Sequence, residues 1–457
     1  MAKTLRGEAD LLHGPVLQNM LRFALPILAG TLLQQLYSMV DAVVVGQFVG
    51  KTALAAVGGS AVAIINLLLN FFVGLCSGAA IVVAQYYGAH DRENVSRAVH
   101  TATLLAVWVG AIMTVIGVCF APGLLSALDT PEDTMQYSID YMRWYFAGMV
   151  PTMIYNMGSS ILRAMGDSKR PLYFLLLCTG VNTVLDLLCV AVLRLEVAGA
   201  AIATSLSQLI CAAFVLRSLM RRQDEARLMP AKLRPTPALV KRMLLLGLPA
   251  GLQSVLYNIT NLYVQKAVNL MGTDTVAAWS IYAKIDGVFW PISNAFGIAI
   301  MTFVGQNYGA QQHARITSCI RTGLWMDAGF SILFSVLLFF SRSFVVRFFT
   351  DDPAVMQEGG QIIAMLAFFY PTFVFVEILS SAMRGTGNSV IPTVLTLFGV
   401  CVLRLVLLFT VTFPHLSDWT VALCYPATWA TTSVLFLIYY KCFRWMPACR
   451  EKAQGGK

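Results

Sequence analysis

Long apolar runs alternate with short polar stretches through almost the whole of this 457-residue chain. Twelve runs approach or exceed the roughly 20 residues that cross a bilayer's hydrocarbon core. Six lie near 17–45, 54–86, 95–122, 134–158, 171–194 and 197–217, and six near 241–269, 276–308, 318–341, 357–383, 390–413 and 419–440. Backbone polar groups in lipid must be satisfied within their own segment, so such runs are predicted as helices. The expected fold is an all-α membrane protein of twelve transmembrane helices. Charges and three prolines (Pro230, Pro235, Pro237) interrupt the apolar pattern midway, which predicts a cytoplasmic linker over 221–238. Six-helix lobes over 1–220 and 239–457 flank it.

The polar loops repeat. Gln85-Tyr86-Tyr87-Gly88-Ala89 recurs as Gln306-Asn307-Tyr308-Gly309-Ala310, and Arg163-Ala164-Met165-Gly166-Asp167-Ser168 as Arg384-Gly385-Thr386-Gly387-Asn388-Ser389. Pro171 and Pro392 close the second pair, and the interval from Gln85 to Gln306 is the same as that from Arg163 to Arg384. A period this long, close to half the chain, points to two duplicated lobes rather than solenoid units. With an even number of spans, both lobes enter from the same side, predicting pseudo-two-fold symmetry along the membrane normal and a cavity between lobes. Gly88 and Gly309 are predicted left-handed helix C-caps. Gly166 and Gly387 are expected to supply positive φ in tight turns, with Arg163 and Arg384 anchoring helix ends at the headgroups.

Composition places the chain in the membrane: 58% of residues are hydrophobic and 12% charged, with a mean hydropathy of +0.70. The net charge of +9 does not indicate a nucleic-acid partner, because its distribution is topological. With a cytoplasmic N-terminus, 24 of the 32 Lys and Arg fall on the cytoplasmic side and four in outer loops, as the positive-inside rule requires. A bacterial-type inner membrane, both termini cytoplasmic, a monomeric state and membrane-lipid contacts are expected. Residues 1–15 are polar, so the first span is expected to stay as a helix rather than act as a cleaved signal. The ten Cys are scattered singly, which predicts buried packing and no disulfide framework.

The two six-span halves, the QxYGA loops and the RxxGxS turns together resemble the multidrug and toxic compound extrusion (MATE) family of cation-coupled exporters, from about Leu17 to Tyr440. The resemblance implies a transporter rather than an enzyme, needing no cofactor. It would export small organic, often cationic, compounds in exchange for H⁺ or Na⁺ by alternating access. The alternatives are a flippase for lipid-linked sugars of the same superfamily, which would line its cavity with several bases, and a receptor or scaffold without transport. A major-facilitator permease lacks support, since no Asp-Arg-x-Gly follows the second span. Gly46 to Thr52 is one residue short of a phosphate-binding P-loop.

Charges inside hydrocarbon cost about 2.5–3.5 kcal/mol on insertion scales, so each raises a functional question. Asp41 and Asp186 lie roughly 12 Å below the outer ends of their spans, Thr204 at about 10 Å, and Asn182 one turn deeper on the face of Asp186. Oxygen ligands of these kinds suit a proton or Na⁺, and two carboxyls in low dielectric favour sharing one. The same four positions match the first-lobe cation site that the resemblance implies. Pro26, fifteen residues before Asp41, removes a helix hydrogen bond and is a hinge candidate. Gln34, Tyr37, Asn156 and Met157 are candidates for the substrate cavity. In the second lobe, Asp286, Asp327 and Arg404 join Lys266, Lys284 and Glu377; the mixed signs predict an ion pair of Glu377 with Lys266 or Lys284 rather than a cation site. Arg143 is expected to snorkel to the outer interface.

Overall fold

A computed structural model describes residues 9–49, 56, 58–443 and 445–446, without the side chains of 36–43 and 46. Among the described residues all regular structure is helical. The first half comprises α1 (Val16–Phe48), α2 (Ser60–Gly88), α3 (Arg92–Ser126), α4 (Glu132–Ala147), α5 (Met149–Ala164), α6 (Lys169–Asp186) and α7 (Glu196–Met220). The second comprises α8 (Pro237–Asn269), α9 (Thr273–Gly309), α10 (His313–Arg347), α11 (Pro353–Ala367), α12 (Tyr370–Gly385), α13 (Val390–Thr396), α14 (Leu403–Leu407) and α15 (Asp418–Cys442). π-Helical stretches Leu187–Val192, Leu397–Val402 and Leu408–Thr412 extend α6 and link α13 and α14 into one span.

Ten of these described helical spans are long and apolar enough to cross a membrane, and the pair α11–α12, bent by 48°, makes an eleventh. The broken pair α4–α5 supplies the twelfth: it starts at Glu132, offset from the Pro353 start of α11 by the interval that separates the repeated loops. The helix starts at Val16, Arg92, Met149 and Lys169 recur at the same offset as Pro237, His313, Tyr370 and Val390. Duplication therefore extends from the loop motifs to the element boundaries.

The chain divides into two compact units, one built mainly of Leu21–Gly251 and the other of Leu252–Lys457. In the first, α2 and the start of α8 cross at glycines. A Cβ on Gly247 would lie 2.7 Å from the Leu75 Cα, and one on Gly251 2.6 Å from the Phe71 carbonyl. In the second, Phe289, Tyr370 and Trp429 form a solid aromatic core, with the rings of Phe289 and Tyr370 centred 4.3 Å apart. The polar stretch after α7 is docked on the first unit. Met229 N donates to His100 Nε2 (3.0 Å), Thr236 N donates to Thr101 Oγ1 (3.2 Å), and Arg92 pairs with Glu225 at 2.8 Å.

Several local expectations change. Gly166 and Gly387 take the positive φ predicted for them, +92° and +91°. Gly88 and Gly309 do not cap in the left-handed region: their helices run through them to right-handed Ala89 and Ala310, and the positive φ falls on His90 and Gln311. Arg163 and Arg384 turn inward rather than to headgroups, donating to Ser160 Oγ (3.0 Å) and Gln253 Oε1 (2.6 Å). A half-buried guanidinium gains more from fixed acceptors than from the interface. Cys178 and Cys211, expected to be separate packing residues, form a disulfide between α6 and α7. Arg143 is exposed, with Nε donating to the Val118 carbonyl at 3.3 Å.

Candidate cation site

Asp186 is the last residue of α6, and the π-helical Leu187–Val192 begins immediately after it. Such wide turns leave the regular ladder, shown here by Leu193 N donating to Leu188 O five residues back at 2.8 Å, and they recur at functional positions. The second half places a π-helical stretch at the equivalent point, Leu408–Thr412.

Two contacts set the register of α6 against α7. The Cα atoms of Cys178 and Cys211 are 6.0 Å apart, and a Cβ on Gly199 would lie 3.0 Å from the Cys189 carbonyl oxygen. The two helices are thus antiparallel, and that pairing puts Thr204 level with 184–185 and Ser207 level with 181–182. Asn182 and Asp186 are 0% exposed and Thr204 5%. The structure therefore gathers an amide, a carboxyl and a hydroxyl into one buried layer, through the spacing of four residues on α6 and the antiparallel pairing with α7. Ser207, also buried, borders this layer and donates to the Thr204 carbonyl at 2.8 Å. The sequence reading did not single it out, although its spacing of three from Thr204 put it on the same face.

The remaining candidates of the first half are dispersed. Asp41 and Tyr37 lie on α1, but their side chains fall outside the described residues. Gln34 is exposed and Met157 buried. Asn156 is half-buried and donates to the Thr152 carbonyl of its own helix at 2.9 Å. Pro26 sits inside α1, which continues through it. Among the described residues no group of three or more His, Cys, Asp or Glu could hold a metal ion. The donor set on α6 and α7 is oxygen-rich, suited to a proton or a hard monovalent cation rather than a transition metal.

The mixed-sign set of the second half does not pair as expected. Lys266 and Lys284 are exposed, and neither forms an ion pair with Glu377 among the described residues. Long lysine stems reach the surface of their helices, whereas Glu377 projects against α9, its carboxyl occupying the space that a Cβ on Gly297 would need. Asp286 instead accepts from Tyr370 Oη (2.9 Å) and Trp290 Nε1 (2.7 Å). Arg404 donates to Asn261 Oδ1 (3.1 Å) and Thr428 Oγ1 (3.3 Å), with its guanidinium 4.4 Å from the centre of the Tyr425 ring.

The MatE family profile matches residues 26–188 and 249–410, once in each half. The chain is 27% identical over 440 residues to the probable multidrug resistance protein YoeA of Bacillus subtilis (strain 168), covering 94% of both chains. It is 28% identical over 439 residues to the probable multidrug resistance protein YpnP of the same organism, covering 95% and 97%. A solved outward-facing multidrug resistance MATE family transporter of the MOP superfamily superposes with a TM-score of 0.88 at 22% identity, over 96% of this chain and 97% of that one. With a matching profile over most of its length and the same helical fold, this chain belongs to the MatE family of membrane transporters.

Proposed function

We propose that this protein is a secondary antiporter that exports small organic, cationic compounds from the cytoplasm in exchange for H⁺ or Na⁺. The observation that carries this reading is the buried layer of Asn182, Asp186 and Thr204 on α6 and α7. Together with Asp41 it forms the coupling site. An ionised carboxyl in the membrane is costly unless matched, so occupation by a cation stabilises one conformation and its release the other, as a ligand with differential affinity must. Pro26 breaks the hydrogen-bond ladder of α1 fifteen residues before Asp41 and serves as the hinge that transmits the change. Gln34, Tyr37, Asn156 and Met157 contribute to the substrate path. The names of the two Bacillus subtilis relatives, both probable multidrug resistance proteins, support a broad substrate range. The protein works in an inner membrane with both termini cytoplasmic.

Ethidium efflux from cells under imposed H⁺ or Na⁺ gradients tests this reading. Asp41→Asn and Asp186→Asn are expected to abolish gradient-driven efflux at wild-type abundance, Pro26→Ala to slow it, and the effective gradient to name the ion. Full efflux in both Asp variants would overturn the mechanism.

A further inference from the structure

The duplication lets the buried layer of α6 and α7 be traced into the second unit. Offset by the interval that separates the repeated loops, Cys178 and Cys211 correspond to Gly399 and Thr432. These two also meet: a Cβ on Gly399 would lie 3.0 Å from the Thr432 Cβ. The span from α13 to α14 therefore packs on α15 in the register that α6 takes on α7. At that register both carboxyl positions hold leucine. Asp41, Asn182 and Asp186 correspond to Leu262, Leu403 and Leu407, while Thr204 and Ser207 correspond to Tyr425 and Thr428.

A positive charge stands there instead. Arg404 of α14, at the position of Thr183, is 2% exposed. Nη1 donates to Oδ1 of Asn261 (3.1 Å), which precedes Leu262 on α8, and Nη2 donates to Oγ1 of the buried Thr428 (3.3 Å). The Thr428 hydroxyl spends its own proton on the Cys424 carbonyl at 2.7 Å, which leaves a lone pair for the guanidinium. The Tyr425 ring is centred 4.4 Å from the Arg404 Cζ. The guanidinium is thus held by the counterparts of Thr204 and Ser207 and by the neighbour of Asp41's counterpart. That is the place where the first unit would hold its coupling ion.

Arg404 is not half of an ordinary ion pair. Among the described residues no carboxylate lies within ion-pair distance of it, and its Nε, shielded from solvent, has no hydrogen-bond partner. Asp286 acts on it only at longer range, its own oxygens accepting from Tyr370 and Trp290. A buried guanidinium on neutral acceptors is costlier than the leucine found on either side of it, so its charge calls for a role. An ion that dissociates lets a site choose between conformations, as its binding and release favour different ones. A cation carried on its own side chain cannot leave. We propose that Arg404 is a built-in cation: it permanently fills the second unit's copy of the layer and holds α8, α14 and α15 in the occupied arrangement, so that of the two copies only the first cycles.

The proposal rests on the antiporter reading for its link to coupling, while the effect of the charge on the second unit is read separately. Arg404→Lys keeps a charge, whereas Arg404→Gln keeps amide donors without one. Ethidium efflux per folded protein should persist in part in Arg404→Lys and be largely lost in Arg404→Gln. Hydrogen–deuterium exchange over 397–412 of the wild type should not respond to H⁺ or Na⁺, whereas exchange over 187–192 should. In Arg404→Ala, exchange over 397–412 should quicken, and purification with ethylguanidinium, the part of the side chain removed, should slow it again. Ethylurea, of the same shape without the charge, should not. Equal efflux and equal exchange in Arg404→Lys and Arg404→Gln would overturn the proposal, as would equal rescue by ethylurea or a wild-type 397–412 that responds to the ion as 187–192 does. If the exchange results hold but Asp41→Asn and Asp186→Asn transport normally, the antiporter reading fails and the built-in cation of the second unit stands.

Discussion

Gly78 of α2 faces Gly247 of α8 so closely that a Cβ on Gly78 would lie 2.5 Å from the Gly247 nitrogen. Gly74 precedes Gly78 by one turn and Gly251 follows Gly247 by one turn, so two glycine pairs of the same spacing meet at one crossing. Lipid tails supply no hydrophobic drive between helices, and association depends on close backbone packing. Gly78→Val or Gly247→Val should therefore destabilise the folded protein by about 1–3 kcal/mol, the usual cost of overpacking. Thermal unfolding in detergent, followed by fluorescence-detected gel filtration, should show a lower midpoint. An unchanged midpoint would mean that this crossing carries little of the stability.

Thr204 tests whether the buried layer between α6 and α7 works through its oxygens. Thr204→Val keeps the shape and removes the hydroxyl, which should cost about 1–2 kcal/mol of cation binding, roughly tenfold in the concentration needed for half-maximal efflux. Thr204→Ser should restore it. Ser207→Ala should have a smaller effect, since its hydroxyl is bound to the Thr204 carbonyl. Equal behaviour of Thr204→Val and wild type in a cation titration of efflux would remove Thr204 from the site.

Arg404 is 2% exposed and bridges α8 and α15 through Asn261 and Thr428. Arg404→Met should leave both acceptors unmatched and lower stability by about 1–3 kcal/mol. Arg404→Lys should rescue little, because one ammonium cannot reproduce two directed donors and the face-on contact with Tyr425. Chemical or thermal unfolding of the three proteins side by side gives the order; full rescue by Lys would show that charge alone suffices.

Much of the fold was legible because it is local. An apolar run long enough to satisfy its own backbone in lipid is a helix wherever it occurs, so the spans and the repeated loops could be read directly. The turns at Gly166 and Gly387 followed from residue type for the same reason. Gly88 and Gly309 failed because a glycine near a helix end need not be the capping one, and His90 and Gln311 took the left-handed position. The placement of the polar side chains on α6 and α7 was partly legible: the spacing of Asn182 and Asp186 put them on one face, and depth brought Thr204 level with them. That Lys266 and Lys284 stay exposed instead of pairing with Glu377 was not legible, since opposite charge says nothing about which way each helix is rotated.

The sequence alone determined the membrane class, the twelve spans, the duplication at one constant interval and the family, because each depends on content and order within single segments. Only the tertiary structure decided that Cys178 meets Cys211, that Gly78 meets Gly247, and that Arg404 reaches Asn261 and Thr428 while Lys266 and Lys284 stay exposed. The physical reason is that a membrane helix is complete in its own hydrogen bonds. Its existence is written locally, whereas its rotation and neighbours are set by packing against helices far away in the chain.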